Sequence, residues 1–311
     1  MPKLNTVLGT LHSDEMGITA FNEHVFYGAS GWQHNPAVWF DMAKVYEKCF
    51  SELMDFKLIG GRTYVDGSGI GGGRDLDVLV KLSNSTGVHV IASTGFCSDH
   101  FIAPHFRNLD VNGFEEIFLH ELTVGMGRTS IQAGLVRAGV AGDAPTALEL
   151  IVCEAAVSAA KKGNVPLVVD VAMTPERVLD TAAKAGLDTS RIIFSHCDRS
   201  MDIDRDIEIA KSGAYIAYDN VGVEAWSTKL YAMPDEQRAE QVSALLAAGF
   251  QNQLLLSAGS IGFGHGWSEA HVSSVGNLLR YFVPTLTDSG IDETVANAIL
   301  CENPQRVLPL Q

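Results

Sequence analysis

The sequence predicts an α/β fold, a TIM-type (β/α)8 barrel formed as one domain over residues 1–311. Three observations predict it. Apolar, β-branched runs alternate with helical stretches along the whole chain, the rhythm of a parallel sheet covered by helices. Eight such runs can be counted, enough to close a sheet on itself. Polar residues able to do chemistry stand at the ends of these runs, where a barrel gathers its functional groups.

The first run, 18–23, leads through the triplet Asn22-Glu23-His24 into a loop rich in glycine and aromatics. Further strands are expected near 63–66, 89–94, 134–138, 166–170, 192–196, 214–219 and 253–257. Between them the helices are legible. In 146–162, Leu148, Ile151, Val152, Ala155, Ala156 and Ala159 recur at spacings of three and four and make one buried stripe. Thr174-Pro175 reads as an N-cap followed by proline at the first helical position, and Gly186 reads as a C-terminal stop.

Four stretches that follow strands, 25–42, 97–113, 220–236 and 259–272, are longer or more aromatic than a turn requires and should rim one mouth. The first holds Phe26, Tyr27, Trp32, Trp39 and Phe40, enough flat apolar surface to wall a pocket; its alternative is a satellite hydrophobic cluster under a loop. The glycines of 67–73 lack the lysine of a P-loop and the spacing of a dinucleotide fingerprint, so a tight loop after the second strand accounts for them.

Composition narrows the function. With 46% hydrophobic and 19% charged residues the chain can bury a large core, and its net charge of −15 repels nucleic acid and anionic membrane surfaces. A small uncharged or weakly charged substrate is the expectation. The five cysteines, Cys49, Cys97, Cys153, Cys197 and Cys301, are scattered and show no paired spacing, which suits a reducing compartment. The N-terminus has no signal-peptide pattern, and no window offers the roughly 18 uninterrupted apolar residues of a membrane helix. A cytoplasmic, unprocessed protein is expected.

The stretches Asn5-Thr-Val-Leu-Gly9, Glu23-His24, Gly61-Arg-Thr-Tyr-Val-Asp66, Gly73-Arg-Asp75, 86–96, Glu121-Leu-Thr-Val-Gly125, Ala133-Gly134 and Glu302-Asn-Pro-Gln-Arg306 follow one another along the chain. In that order and spacing they resemble the phosphotriesterase-like lactonases and hydrolases of the amidohydrolase superfamily. The resemblance implies a barrel holding two divalent metals. Their ligands would be a His-x-His pair on strand one, a carboxylated lysine on strand four, histidines on strands five and six, and an aspartate on strand eight. This sequence departs from most of that set: the positions read Asn22, His24, Arg137, Asp170, His196 and Gly259.

Arg137 stays protonated, offers no lone pair and cannot be carboxylated, so no binuclear centre and no cofactor is expected. Asp170 on the neighbouring strand is its expected ion-pair partner. Histidine is the side chain best suited to move protons near neutral pH, which marks His24 and His196 as candidate acid and base groups beside Asp170 and Arg137. Asn22, Tyr27, Trp32, Cys97, Asp219 and His265 are candidate substrate-binding residues. Cys97 has a plainer reading as a small buried hydrophobe.

Three functions remain open at this stage. The leading one is a metal-independent enzyme of lactonase, esterase or lyase type, acting on a small organic molecule with a lactone or carboxylate. The second is a binding protein that has lost its chemistry. The third is a mononuclear metalloenzyme with the metal on His24, Asp170 and His196. Dimers are common in the resembled family, which makes a homodimer an expectation.

Overall fold

The computed structural model describes residues 2–28, 36, 41–223, 225–227, 230–231, 233–264 and 274–310. Its barrel strands are β1 (Ile18–Tyr27), β2 (Gly61–Asp66), β3 (His89–Phe96), β4 (Leu135–Ala138), β5 (Leu167–Asp170), β6 (Ile192–Ser195), β7 (Tyr215–Tyr218), β8 (Leu254–Leu256) and β9 (Ile261–Gly264). All are parallel, in the order β8-β7-β6-β5-β4-β3-β2-β1-β9. Because the two edge strands, β8 and β9, follow one another in the chain, the sheet curls until its edges are joined through residues 257–260. Ser257 N–H donates to Tyr218 O at 2.9 Å on one side, and His24 N–H donates to Ser260 O at 2.8 Å on the other. The eight expected strand positions are thus present, the last one interrupted at Gly259.

Helices alternate with the strands, as the pattern predicts. They are α1 (Met42–Leu58), α2 (Leu76–Thr86), α3 (Val111–Thr123), α4 (Ala147–Gly163), α5 (Pro175–Ala185), α6 (Ile203–Lys211) and α7 (Asp235–Ala247), with α8 (Val283–Asp288) and α9 (Glu293–Val307) closing the described chain. The Thr146 hydroxyl caps α4 by accepting from Glu149 N–H, and Gly186 ends α5 in the left-handed conformation. Thr174 stands at the N-cap of α5 but its hydroxyl makes no cap bond, because its backbone is itself left-handed, at φ +67°. Pro175 starts that helix without it.

Side chains of alternate strand positions meet inside the barrel: Phe21, Val65, Ile91, Leu135, Val168, Ile193, Ala217 and Leu255 form a continuous core. A hairpin of Lys3–Thr6 and Gly9–His12 brings Leu4 and Leu11 to the same cluster, and Val307 and Leu308 join it from the other end of the chain. Several residues behind the family resemblance do this structural work. Asn303 donates to Gln251 O (2.8 Å) and Leu254 O (2.7 Å), fixing α9 to the start of β8. Arg74 grips Glu121 with both ends of its guanidinium, at 2.8 and 2.7 Å. Among the described residues no helix is long and apolar enough to cross a membrane.

Candidate functional site

β1 runs four residues beyond its expected end. The extension pairs with β9, so Phe26 packs into the hydrophobic layer outside the sheet and does not wall a pocket. The strand is irregular midway: its register with β2 slips between Ala20 and Glu23, and Asn22 sits there at φ +62°. Asparagine tolerates that left-handed backbone better than most residues, and the slip re-aims the side chains beyond it. His196, just past β6, is likewise left-handed at φ +59°. Two such residues, one within β1 and one just past β6, hold strain of about 1–3 kcal/mol each, which neighbours must fix in place.

The neighbours are polar and buried. Asn22 donates its amide to Asp219 Oδ2 at 2.6 Å and accepts from Arg137 Nη1 at 2.9 Å. The same Arg137 nitrogen also donates to Gly67 O. Asp219 turns its other oxygen to His196, taking the backbone N–H at 2.9 Å and standing 2.9 Å from the ring Nδ1. The ring Nδ1 stands at that distance without the alignment of a hydrogen bond. Asn220 steadies Asp219 from behind at 3.2 Å and is held by Asp198, itself bonded to the fully buried Arg238 at 2.7 Å.

His24 Nδ1 lies 3.2 Å from Ser68 Oγ, whose proton goes to Phe26 O. Ser68 can therefore only accept, so the proton sits on Nδ1 and the lone pair on Nε2. Burial, the Arg137 charge and then His196 hold the His24 pKa well below its ordinary value, so the ring is neutral around pH 7. Burial works to raise the Asp219 carboxyl, but the close approach of the His196 ring and the bond from Asn22 prevail and lower it.

The two neighbouring ends, β5 and β6, are in register through Asp170 and Ser195. Asp170 accepts from Ala172 N–H at 2.9 Å and pairs with Arg199 at 3.1 Å; His196 Nε2 is 4.0 Å away. The expected pair with Arg137 does not form: among the described residues no carboxylate lies within 4.0 Å of Arg137. Arg199 wins because it lies three residues past His196, in the turn that follows β6, whereas the Arg137 fork is drawn away by Asn22 and Gly67.

Tyr27 packs edge-on against His24 (centroids 4.8 Å) and Phe101 (5.1 Å), so it belongs to the mouth. The Cys97 thiol is directed at Gly67 O and Ser68 O, and burial pushes its pKa up, which keeps it a thiol and favours the plainer reading. Trp32 and His265, with Trp39, Phe40 and His271, lie outside the described residues. Glu23, read as part of the polar triplet, is instead a fully buried staple: it accepts from Ser257 Oγ, Ala258 N–H and Ser260 N–H and so joins β1 to the break between β8 and β9.

Sequence reasoning missed Arg199, Ser68, Asp198 and the purpose of Gly67. A side chain on Gly67 would meet Arg137 Nη1 at 2.6 Å and collide with Asn22, so this glycine admits the Arg137–Asn22 bond. The charged pair Asp198-Arg199, two and three residues after His196, was the available signal.

The donor set does not suit the two metals the resemblance implies. Asn22 and Arg137 are bonded to each other, and a Cβ at Gly259 would stand 2.5 Å from Asp219 O, leaving no room for a carboxylate there. Among the described residues no three His, Cys, Asp or Glu side chains are grouped to hold a metal ion.

Comparison with known proteins agrees with the fold and the motifs. The chain is 27% identical to an N-acetyltaurine hydrolase of Danio rerio, over 98% of this chain and 97% of that protein. It is 26% identical to a phosphotriesterase homology protein of Escherichia coli strain K12, over 94% and 98% respectively. A solved structure from the molecular engineering of organophosphate hydrolysis activity from a weak promiscuous lactonase template superimposes with a TM-score of 0.88 at 26% identity, covering 98% of this chain and 99% of that one. The sequence model of the Phosphotriesterase family matches residues 2–308. This chain belongs to the phosphotriesterase family.

Proposed function

We propose that this chain is a metal-independent hydrolase that opens an ester, lactone or amide bond in a small organic molecule. The observation that carries the reading is the Asp219–His196 pair: a buried carboxylate 2.9 Å from Nδ1 of a ring whose side chain keeps 13% exposure. Asp219 steadies the ring and its positive form, and Nε2 is left to work as a base.

In this reading a water oxygen adds to the acyl carbon while its proton passes to His196 Nε2. The tetrahedral intermediate then collapses, the C–O or C–N bond breaks, and the leaving atom takes the proton back from the imidazolium. Arg137 supplies a fixed positive charge, for an anionic group of the substrate or for the oxyanion that develops. Neutral His24 accepts a hydrogen bond at Nε2 and helps orient the water or substrate. The names of its relatives, an N-acetyltaurine hydrolase and a lactonase template, support hydrolysis over elimination.

Metal independence rests on Arg137, Asn22 and Gly259, which replace metal ligands of the resembled family with a cation, an engaged amide and no side chain. Protein purified without chelator should contain well under one equivalent of zinc, manganese, iron or cobalt, and chelation should leave turnover intact. Stoichiometric metal whose removal abolishes turnover would overturn this. With a substrate in hand from a panel of lactones, esters and N-acyl compounds, His196→Asn should lower kcat by about 10²- to 10⁴-fold under saturating conditions. Near-parental turnover would remove His196 from the chemistry.

A further inference from the structure

Arg137 is 97% buried and only its Nη1 is engaged, by Asn22 and Gly67. Nε is buried without an acceptor, and Nη2 has no acceptor among the described residues. Those two nitrogens form the side-on edge of the guanidinium, where two parallel N–H bonds match the two oxygens of a carboxylate.

The charges around this edge do not cancel it. Asp170 is taken by Arg199, and Asp219 is taken by His196. Asn22 stands between Arg137 and Asp219 as an amide spacer, accepting from one and donating to the other, so guanidinium and carboxylate do not meet. His24 alongside is held neutral. A buried cation without a partner costs several kcal/mol, so a fold that keeps one gains most when a ligand supplies the counter-charge. The chain's net charge of −15 opposes an approaching anion only weakly at this range, since exposed charges are screened over about 8 Å at physiological salt.

We propose that the side-on edge of Arg137 binds a carboxylate of the substrate, which makes the natural substrate a small anionic acyl compound. This deepens the hydrolase reading and rests on it for the substrate's role, while the binding itself is measured without turnover.

The intact protein is titrated calorimetrically with acetate, N-acetylglycine and benzoate, and in parallel with their neutral amides. The carboxylates should bind at least about tenfold more tightly than the amides. Arg137→Gln should abolish that preference, and Arg137→Lys, which keeps the charge but not the fork, should lose about tenfold as well. Equal binding of acids and amides by the parent protein, or no binding of any acid, overturns the proposal, and this arm stands even if the variants do not fold. A preference for acids that survives unchanged in folded Arg137→Gln also overturns it. The two readings separate cleanly: acid binding with no hydrolase activity on any panel member leaves the subsite and removes the hydrolase, while hydrolysis of neutral lactones by a protein indifferent to acids does the reverse. Where both hold, Arg137→Gln should raise KM more than it lowers kcat.

Discussion

Asp170 Oδ2 lies 3.1 Å from Arg199 Nη1, although Arg137 on the adjoining strand was the partner its position predicted. The difference is measurable as coupling. In double-mutant cycles, Asp170→Asn with Arg199→Gln should show an interaction of about 0.5–3 kcal/mol in unfolding free energy, and Asp170→Asn with Arg137→Gln a smaller one. Arg199 is half-exposed, so a value at the low end is expected. A larger coupling to Arg137 would reinstate the pair that the structure lacks.

Gly67→Ala tests the close approach under Arg137. The new methyl would stand 2.6 Å from Arg137 Nη1 and against Asn22, and neither can retreat without breaking their 2.9 Å bond. Overpacking of this kind costs about 1–3 kcal/mol. Denaturant unfolding should show that loss, and any carboxylate affinity should fall with it. Parental stability together with parental affinity would show that the fork has slack.

Glu23→Gln tests the staple. Its two oxygens accept one hydroxyl and two backbone N–H groups, so an amide must turn its NH₂ towards a donor. A loss of about 1–3 kcal/mol is expected for the unpaired N–H. Hydrogen exchange should then rise first in residues 257–260, where the barrel closes. Unchanged exchange there would mean the closure is held by backbone bonds alone.

His24 gives the stability a pH dependence of known sign. Its folded-state pKa lies well below the unfolded value of about 6.5, so below that pH the unfolded chain takes up a proton that the folded one refuses. Stability should therefore fall as pH drops from 6.5 towards the folded pKa, by up to about 1.4 kcal/mol per unit from this group. Comparing the parent with His24→Gln isolates the effect from Glu23 and Asp66, whose pKa values burial raises and which act in the opposite direction. Chemical denaturation at pH 7.5 and 5.5 should show the smaller drop in the variant. Equal drops would mean that His24 is protonated as readily when folded as when unfolded.

Local pattern was enough for the barrel. The alternation of β-branched runs with striped helices, the start at Pro175 and the stop at Gly186 depend on residues near one another in sequence, so they could be read in order. The same order of strands brings Asn22, His24, Arg137, Asp170, His196 and Asp219 together, although β1 continues to Tyr27, past its expected end. Which of these groups touch could not be read this way. Whether Arg137 faces Asp170 or Asn22 turns on a backbone slip at residue 22, a glycine at 67 and a competing guanidinium at 199, three positions far apart in the chain. Glu23 makes the same point: a carboxylate beside two candidate site residues looks chemical in sequence, and only the arrival of Ser257, Ala258 and Ser260, more than 230 residues later, makes it a staple. Periodicity reports which face of an element is buried, whereas hydrogen-bond partners depend on distances of a few tenths of an ångström that only the packed tertiary structure sets.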